Sequence, residues 1–267
     1  MRFTTYILRN MLGRRARTIL TVLGLGVGIA AVMVLTGIAW GFERSFQAIY
    51  PAKGVDLIVV RAGIGNQLSS NLDVKIGDTI RQVEGVLDVA PSLMDTVSFE
   101  EANLVSVLVS GWKPESILFR GLRILDGRSL VRTDGKATIL GRVLALNLNK
   151  KTGDSLSVAG ETFQVVGIFE TDSLFENGGL IVPIEQLQKM MGREGQVSGF
   201  VVAADSPGDA AQLRLLGNRI EAKIAGVAAS PTRDYISADL QIRLAKSMAW
   251  ATMAVSLVLG SVGMLKG

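Results

Sequence analysis

The sequence predicts a mixed α+β domain placed between two transmembrane helices. Two uncharged apolar runs stand near the ends of the 267-residue chain, at residues 19–40 and 248–265. Between these runs, short segments rich in β-branched residues alternate with segments whose apolar residues recur at helical spacing. The intervening residues 43–246 are numerous enough for one good hydrophobic core or two small ones.

The chain opens with a basic arm, residues 1–18, followed by the first apolar run. As a helix, residues 19–40 would extend about 33 Å across a hydrocarbon core of about 30 Å, and we assign a transmembrane helix to residues 19–41. The arm has no acidic residue, so its positive charge places the N-terminus in the cytoplasm. A cleaved signal peptide would have a shorter apolar core. The charge comes from Arg2 and from four arginines that we assign as topology determinants: Arg9, Arg14, Arg15 and Arg17.

A dinucleotide-binding site is the alternative for the first apolar run. Gly26, Gly28 and Ala31 fit the fingerprint G-x-G-x-x-G/A. The fingerprint works only where a strand leads into the first glycine and a helix starts at the last, because the pyrophosphate binds at that helix N-terminus. The run meets neither condition, and the acid at the expected distance, Glu43, lies beyond it. The sequence therefore favours a membrane helix.

Composition limits the chemistry of the chain. It has no cysteine and no histidine, which excludes disulfides, thiolate metal sites and histidine-containing catalytic triads. The net charge of +4 comes from the two ends of the chain. Because the arginines abut a membrane segment, lipid phosphates explain them better than a nucleic-acid partner.

The extramembrane region begins with a β-α-β-β pattern. Residues 55–60 form a strand-like apolar run, and residues from Val74 to Val83 have apolar side chains at helical spacing until Gly85. Three more strands are predicted, at residues 86–90, 96–99 and 104–110.

A second β-α-β unit is predicted near the end of the region. A strand at residues 199–205 leads into Ser206, Pro207 and Asp209, which predict a helix N-terminus with Ser206 as the capping residue. A last strand near residues 227–231 makes the domain two related half-units with an insertion between them. The helix has one apolar face, formed by Leu213, Leu216, Ile220 and Ile224.

The insertion, about residues 117–194, is predicted to be a β-rich subdomain. Gly160 and Glu161 stand at the tip of a predicted hairpin, and Pro183 stands at the start of a helix. In order, the predicted elements are a strand in KATIL, a helix at residues 143–148, the hairpin strands in SLSVAG and FQVVGIFE, a strand in GGLIVP and a helix at residues 184–191.

The second apolar run is just long enough to cross the membrane, and we assign a transmembrane helix to residues 247–265. A buried helix of a soluble domain, the alternative, would show polar residues along one face.

Both transmembrane helices are predicted to continue as amphipathic stalks within a domain of residues 42–246. The alternative is helix ends that dock on the domain. The stalk faces would be formed by Phe42, Phe46 and Ile49 and by Leu240, Leu244 and Met248.

Two G-x-x-x-G pairs occur in the first apolar run, and small residues at this spacing let membrane helices approach closely. Glycine is also common in membrane helices that make no such contact. We treat these glycines as candidate helix-packing residues: Gly24, Gly28, Gly37 and Gly41.

Several stretches together resemble MacB-type permeases of the MacB/FtsX family of ABC transporters. The stretches are RRARTILTVLGLGVG, LDGRSL, ATILGRVLALNLNKKTGDSLSVAGETFQVVGIFE and IVPIEQLQ, in this order between the two apolar runs or at their start. The resemblance implies a periplasmic domain on helical stalks, with an α/β porter-like subdomain and a β-rich subdomain. It also implies a dimer that works with an ATPase and converts ATP hydrolysis into movement of the periplasmic domains.

The sequence departs from this family after the second apolar run. Family permeases continue through a cytoplasmic coupling segment and two more transmembrane helices, whereas this sequence stops at Gly267. The resemblance therefore predicts a fragment or a split gene product. No coupling residue of the family can be assigned to the chain.

We predict a chain that is not an enzyme and has no catalytic, cofactor-binding or metal-binding residue. The P-loop pattern G-x-x-x-x-G-K-[ST] does not occur, so ATP would be bound by a partner subunit. Glu100 and Glu101 are predicted to lie in a solvated loop rather than to act as an acid and base. Ser247, beside Lys246, falls at a membrane edge and is a poor candidate for a lysine-activated nucleophile.

Three classes of function fit these observations. The first is a permease subunit that exports or extracts an amphiphile, peptide or lipoprotein. The second is an FtsX-like anchor that regulates an extracytoplasmic partner such as a cell-wall hydrolase, and the third is an inactive fragment or scaffold. The predicted location is the bacterial inner membrane, with the large domain in the periplasm. The predicted partners are an ABC ATPase subunit, a second copy or related permease, a periplasmic adaptor or outer-membrane factor, and membrane lipids.

Overall fold

A computed structural model of the chain describes residue 50, residues 53–64 and residues 67–238, with isolated helical positions between 26 and 41. The chain divides into the unit Arg44–Leu240 and a second unit formed by Met1–Glu43 and Gln241–Gly267. No helix within the described residues is both long and apolar enough to cross a membrane. Apart from the isolated positions, the predicted transmembrane helices lie outside the described residues, and so do the six predicted stalk residues.

The unit Arg44–Leu240 is built on a ten-stranded sheet, accompanied by a two-stranded ribbon of β2 and β10. The strands are β1 (Leu57–Arg61), β2 (Leu72–Asp73), β3 (Val86–Phe99), β4 (Leu104–Trp112), β5 (Arg123–Gly127), β6 (Ala137–Gly141), β7 (Ser155–Val158), β8 (Glu161–Glu170), β9 (Leu180–Pro183), β10 (Gln196–Val197), β11 (Gly199–Ala204) and β12 (Val227–Pro231). The helices are α1 (Ile76–Arg81), α2 (Arg142–Asn147), α3 (Leu174–Asn177), α4 (Ile184–Met190), α5 (Ala210–Lys223) and α6 (Thr232–Ala238).

The strand order is β12-β1-β11-β3-β4-β9-β6-β8-β5, with β7 paired to β8. Strand β4 pairs parallel with β9, and β6 pairs parallel with β8; the other pairs in the described sheet are antiparallel. Strands β5 to β9 come from the predicted insertion and lie together at one end, which we call the insertion half. The terminal half consists of β12, β1, β11, β3 and β4.

The two halves share one sheet and one core. At their border, β4 and β9 pair from Val109 with Leu180 to Trp112 with Pro183. A single cluster of buried apolar side chains extends from Leu57 and Phe200 in the terminal half to Phe163 in the insertion half. The sheet therefore runs without interruption from the half-units into the insertion.

The two strands predicted at residues 86–90 and 96–99 are parts of the single strand β3, so the prediction of two strands is wrong. Strand β3 has 14 residues, and Pro91 lies near its middle. Its first part pairs with β11, and the part from Ser92 onward pairs with β4, whose last residue is Trp112. Proline lacks an N–H, and Pro91 is tolerated because β4 has already ended where it stands. Because β3 changes its partner strand near Pro91, the sequence predicted two strands where the structure has one.

Helix α5 confirms the predicted apolar face, because Leu213, Leu216, Ile220 and Ile224 are all buried. The predicted cap at Ser206 is wrong. The Asp209 carboxylate accepts hydrogen bonds from the backbone N–H of Ala211 at 2.9 Å and of Gln212 at 3.3 Å, so the helix begins at Ala210. Gly208, with φ of +92°, forms a turn that ends any helical path from Ser206.

The elements predicted for the insertion are present, but β5 and α3 were not predicted. Strands β7 and β8 form the predicted hairpin, and its turn residues Ala159 and Gly160 have φ of +48° and +83°, as a type I′ turn requires. Helices α2 and α4 lie within one residue of their predicted bounds. By contrast, α1 is shorter than predicted, and Val74 lies in the turn before it, where its N–H donates to the Gly195 carbonyl.

Candidate functional site

The chain reaches β1 through a short stretch that follows the predicted first transmembrane helix in sequence. We call its described residues, Tyr50 and Lys53 to Asp56, the entry segment. The backbone N–H groups of Lys53 and Val55 both donate to the Tyr50 carbonyl, at 3.0 and 3.1 Å. Gly54 has φ of +69°, a conformation that glycine adopts without strain. These bonds close a tight turn and fix the direction in which the Lys53 side chain leaves the backbone.

The entry segment is bonded to the place where the chain leaves β12 toward the predicted second transmembrane helix. The Thr232 N–H donates to the Asp56 carbonyl at 2.9 Å, and the Thr232 hydroxyl donates to the Val55 carbonyl at 3.0 Å. The Asp56 carboxylate in turn accepts from the Ala204 N–H at 2.9 Å. We call Val55, Asp56 and Thr232 the terminal clasp. It joins the two stretches of chain that lead to the predicted transmembrane helices.

The Lys53 side chain extends from the entry segment into a buried pocket. Its ammonium donates to Glu176 Oε1 at 2.7 Å and to the Leu118 carbonyl at 2.9 Å. It also lies 4.4 Å from the centre of the Trp112 ring, on whose face the ring quadrupole attracts a cation. Phe119 packs edge-on against the same ring, with ring centres 5.5 Å apart. We call Trp112, Leu118, Phe119 and Glu176 the lysine pocket.

The ion pair in this pocket is largely removed from water. Lys53 is 2% exposed and Glu176 is 8% exposed. Burial lowers the pKa of Lys53, because the low-dielectric surroundings disfavour the ammonium, while the charge of Glu176 and its hydrogen bond act in the opposite direction. A buried pair of this kind adds little net stability, but removal of one partner leaves an unpaired buried charge. The arrangement therefore favours a single relative position of the two stretches of the chain that meet here.

Glu176 is held in place by the local structure around α3. Its backbone N–H donates to the Ser173 hydroxyl at 3.4 Å, and Ser173 is the N-cap of the helix. The Asn177 side chain bonds the backbone N–H and carbonyl of Thr171, both at 2.8 Å. Gly141 allows the helix to approach closely, since a Cβ at this position would lie 2.5 Å from the Glu176 carbonyl oxygen. The carboxylate thus projects from a closely packed turn of helix.

An open cleft of about 430 Å³ lies beside the β2–β10 ribbon. It is lined by residues 71–75 and 194–196, with Asp73, Lys75 and Glu194 as the charged side chains. Since these charges have opposite signs, the lining does not select one sign of ligand charge. The described residues also contain no group of three His, Cys, Asp or Glu that could hold a metal ion.

Most residues that the sequence singled out are not placed by the structure. The topology determinants Arg9, Arg14, Arg15 and Arg17 lie outside the described residues, and so do Gly24 and Gly28. Gly37 and Gly41 are helical, and a Cβ added at either would meet nothing within 4 Å. Helix packing through these glycines stays a prediction.

The structure gives the context of two rejected alternatives. Glu100 and Glu101 are exposed and begin a 3₁₀ turn between β3 and β4, which confirms the predicted loop. Gly26, the first glycine of the dinucleotide pattern, is in helical conformation, whereas that pattern needs a strand leading into it.

Sequence reasoning missed Lys53, Glu176 and Thr232. Lys53 and Glu176 are 123 positions apart, and neither stands in a pattern that indicates burial.

Comparisons with known proteins agree with the fold. The sequence model of one family, described as the MacB-like periplasmic core domain, matches residues 18–220. An uncharacterized ABC transporter permease of Mycobacterium tuberculosis is 28% identical over 188 residues, which cover 68% of this chain and 51% of that protein. The macrolide export ATP-binding/permease protein MacB of Shewanella oneidensis is 24% identical over a match that covers 94% of this chain and 42% of that protein. The chain thus spans about half the length of these curated relatives, or less.

Two solved structures share the fold. The periplasmic region of MacB from Actinobacillus actinomycetemcomitans gives a TM-score of 0.53 at 15% identity, covering 68% of this chain and 92% of that one. The extracellular domain of the noncanonic ABC-type transporter YknZ from Gram-positive bacteria gives 0.50 at 18% identity, covering 66% and 98%. The resemblance inferred from the sequence is confirmed. Because the family match extends over most of its length, this chain belongs to the family of the MacB-like periplasmic core domain.

Proposed function

We propose that this chain is a permease subunit of a MacB/FtsX-type ABC transporter. The terminal clasp supports the proposal most directly. It bonds Thr232, which leads to the predicted second transmembrane helix, to Val55 and Asp56, which follow the predicted first one. A movement delivered through either stretch therefore acts on the same edge of the sheet, where β1 and β12 pair over five residues. That is what a transmitter of membrane-helix motion requires.

The energy source in this proposal is a partner subunit. The MacB relatives are named ATP-binding/permease proteins, whereas the sequence described here has no P-loop pattern. We therefore assign ATP binding to an ABC ATPase and assign to this chain no catalytic, cofactor or metal site. A dimer with a second copy or a related permease would place two periplasmic domains side by side. Their movement would export or extract an amphiphile, a peptide or a lipoprotein, with an adaptor or outer-membrane factor as a further partner.

The coupling test uses the full-length gene product, together with any residues encoded after Gly267. The protein is tagged and purified from native membranes in mild detergent. We expect an ABC ATPase to co-purify, and its hydrolysis of ATP in lipid nanodiscs to rise when the chain is present. Empty nanodiscs with the same ATPase are the control. Capture of a cell-wall hydrolase without any ATPase would favour the regulatory anchor instead, and an unstimulated ATPase would contradict the proposal.

A matched pair of variants asks whether the terminal clasp takes part. Thr232→Val keeps the size of the side chain and removes the hydroxyl that donates to the Val55 carbonyl. We expect it to lower the stimulation of ATP hydrolysis while the chain remains folded. Thr162→Val makes the same change on β8, at an exposed position outside the clasp, and should leave stimulation unchanged. Equal effects of the two substitutions would remove the clasp from the mechanism.

The proposed location, an inner-membrane protein with a cytoplasmic N-terminus and a periplasmic domain, has its own test. The chain contains no cysteine, so S157C on β7 would supply one exposed thiol in the insertion half. A membrane-impermeant maleimide should label it in intact spheroplasts. Labelling only after lysis would reverse the orientation predicted from Arg9, Arg14, Arg15 and Arg17.

A further inference from the structure

The lysine pocket joins the entry segment to the insertion half. Lys53 belongs to the entry segment, which is bonded to the terminal half through the terminal clasp. Its two hydrogen-bond acceptors, the Leu118 carbonyl and Glu176, belong to the predicted insertion, 65 and 123 positions away. We infer that the buried Lys53–Glu176 pair fixes the position of the insertion half relative to the entry segment, and that movement of the entry segment reaches the insertion half through this pair. The second clause rests on the proposed function.

Both ends of the ion pair are attached to closely packed backbone, so the pair can transmit a displacement. On one side, the turn closed by the Tyr50 carbonyl fixes the Lys53 backbone. On the other, α3 packs on Gly141 so closely that a Cβ there would lie 2.4 Å from the Asn177 carbonyl oxygen. The Asn177 carbonyl already occupies the space that a side chain at Gly141 would fill, so α3 has no space to slide toward β6. The ammonium and the carboxylate therefore follow their own backbones.

The charges favour one relative position of the two side chains, whereas apolar packing allows side chains to slide. Apolar side chains keep part of their contact energy when they slide past one another, whereas a buried ammonium that leaves its carboxylate pays a large desolvation cost. The Lys53 ammonium has two oxygen acceptors and an aromatic face around it, so its surroundings are adapted to one position. A displacement of the entry segment consequently either moves α3 or breaks the pair.

The terminal clasp provides an internal contrast. It joins the entry segment to Thr232 through backbone carbonyls and a hydroxyl, none of them charged. Neutral hydrogen bonds can exchange with water at a modest cost. The entry segment is thus held to Thr232 by neutral bonds, to β11 by the bond from the Ala204 N–H to the Asp56 carboxylate, and to the insertion half by a buried pair of charges.

The test compares the single variants K53M and E176L with the apolar double variant K53M/E176L in the full chain, reconstituted in lipid nanodiscs. Each single variant leaves one buried group without its partner and should lower Tm more than the double variant does. Spin labels on D172C, just before α3, and N218C, on α5, report the distance between the two halves; both positions are exposed. We expect the width of the distance distribution to increase about twofold in the double variant, since α3 then has only apolar contact with residue 53.

The double variant keeps the test decisive even if a single variant fails to fold. R132Q/E115Q, which removes an exposed ion pair near the same region, is the control and should leave both Tm and the distance distribution unchanged. An unchanged distribution in K53M/E176L, or Tm losses of the single variants that simply add in the double variant, would overturn the inference. The measurement needs no ATPase, so it can succeed where the proposed coupling to ATP hydrolysis fails, and the reverse also holds.

Discussion

The terminal half and the insertion half of the sheet are assembled from different stretches of chain. In the terminal half, β1 pairs with β11 and β12, so Leu57 lies opposite both Val202 and Pro231. The strands of the insertion half all come from one continuous stretch, Arg123 to Pro183. Contacts between distant residues carry a larger loop-closure cost and form later in folding. The insertion half can therefore form locally, whereas the terminal half needs both ends of the domain.

This difference gives the border between the halves its importance. The halves meet at the parallel β4–β9 pair, at the lysine pocket and where α4 packs over β4. Gly111 permits the last of these contacts, since a Cβ there would lie 3.1 Å from Ile184 Cα. The halves share one sheet and one core, but each has its own strands and helices away from this border. Substitutions within each half should therefore have separate local effects.

The largest effect is expected for Gly141→Ala in the insertion half. The new Cβ would lie 2.4 and 2.5 Å from two backbone carbonyl oxygens of α3, so the helix must move. We expect a loss of about 3 kcal/mol in unfolding free energy, the upper end for overpacking a tight site. Hydrogen exchange should accelerate at α3 and β6 before it does so at β1. Gly135→Ala, where a Cβ would meet nothing within 4 Å, is the matched control. Uniform acceleration through both halves would show that they do not respond separately.

Gly217→Ala makes the corresponding change in the terminal half. Alanine in a helix interior normally stabilises it by up to about 1 kcal/mol relative to glycine. Here the Cβ would lie 2.5 Å from the Ala229 carbonyl oxygen on β12, and this clash should outweigh the gain, for a net loss of about 1 to 2 kcal/mol. Hydrogen exchange should accelerate at α5 and β12. A stabilised protein in chemical denaturation would show that β12 yields without cost.

Patterns within a few residues predicted individual strands and helices. The features that were not predicted depend on contacts between residues that are distant in the sequence. The β7–β8 hairpin follows from alternating side chains and a turn with positive φ, and the buried face of α5 follows from helical spacing. That β3 is one continuous strand could not be predicted from the sequence, because this depends on where its partner strands β11 and β4 begin and end. The lysine pocket was equally inaccessible, since the partners of Lys53 lie 65 and 123 positions away.

The corrected helix cap supplies the third prediction. Asp209→Ala removes the acceptor for the N–H groups of Ala211 and Gln212, which should cost about 1 kcal/mol of unfolding free energy. Ser206→Ala, at the residue that the sequence pattern favoured, should change stability by less than about 0.5 kcal/mol. Urea denaturation of the two variants compares them directly. A larger effect at Ser206 would restore the original assignment and place the start of α5 three residues earlier.

The smallest effect concerns an exposed loop of the insertion half and depends on pH. The Arg128 guanidinium donates to both carboxylate oxygens of Asp134, at 2.7 and 2.8 Å, and this bonding lowers the pKa of Asp134, with a further contribution from the Val131 N–H. A carboxyl group whose pKa is lower in the folded state stabilises the fold above its unfolded pKa of about 3.9, and this contribution disappears as the pH falls through the folded pKa.

Arg128→Gln should therefore destabilise the protein near neutral pH and have progressively less effect below about pH 4. Because Arg128 is half exposed, solvent screening limits the loss at pH 7 to less than about 1 kcal/mol. Urea denaturation at pH 7 and at pH 3 measures the difference. Arg132→Gln removes a partner of Glu115 in a pair where both side chains are more than half exposed, and it should have the smaller effect. A loss of stability in Arg128→Gln that is equal at the two pH values would mean that Arg128 stabilises this loop through packing of its aliphatic stem and not through the charge of Asp134.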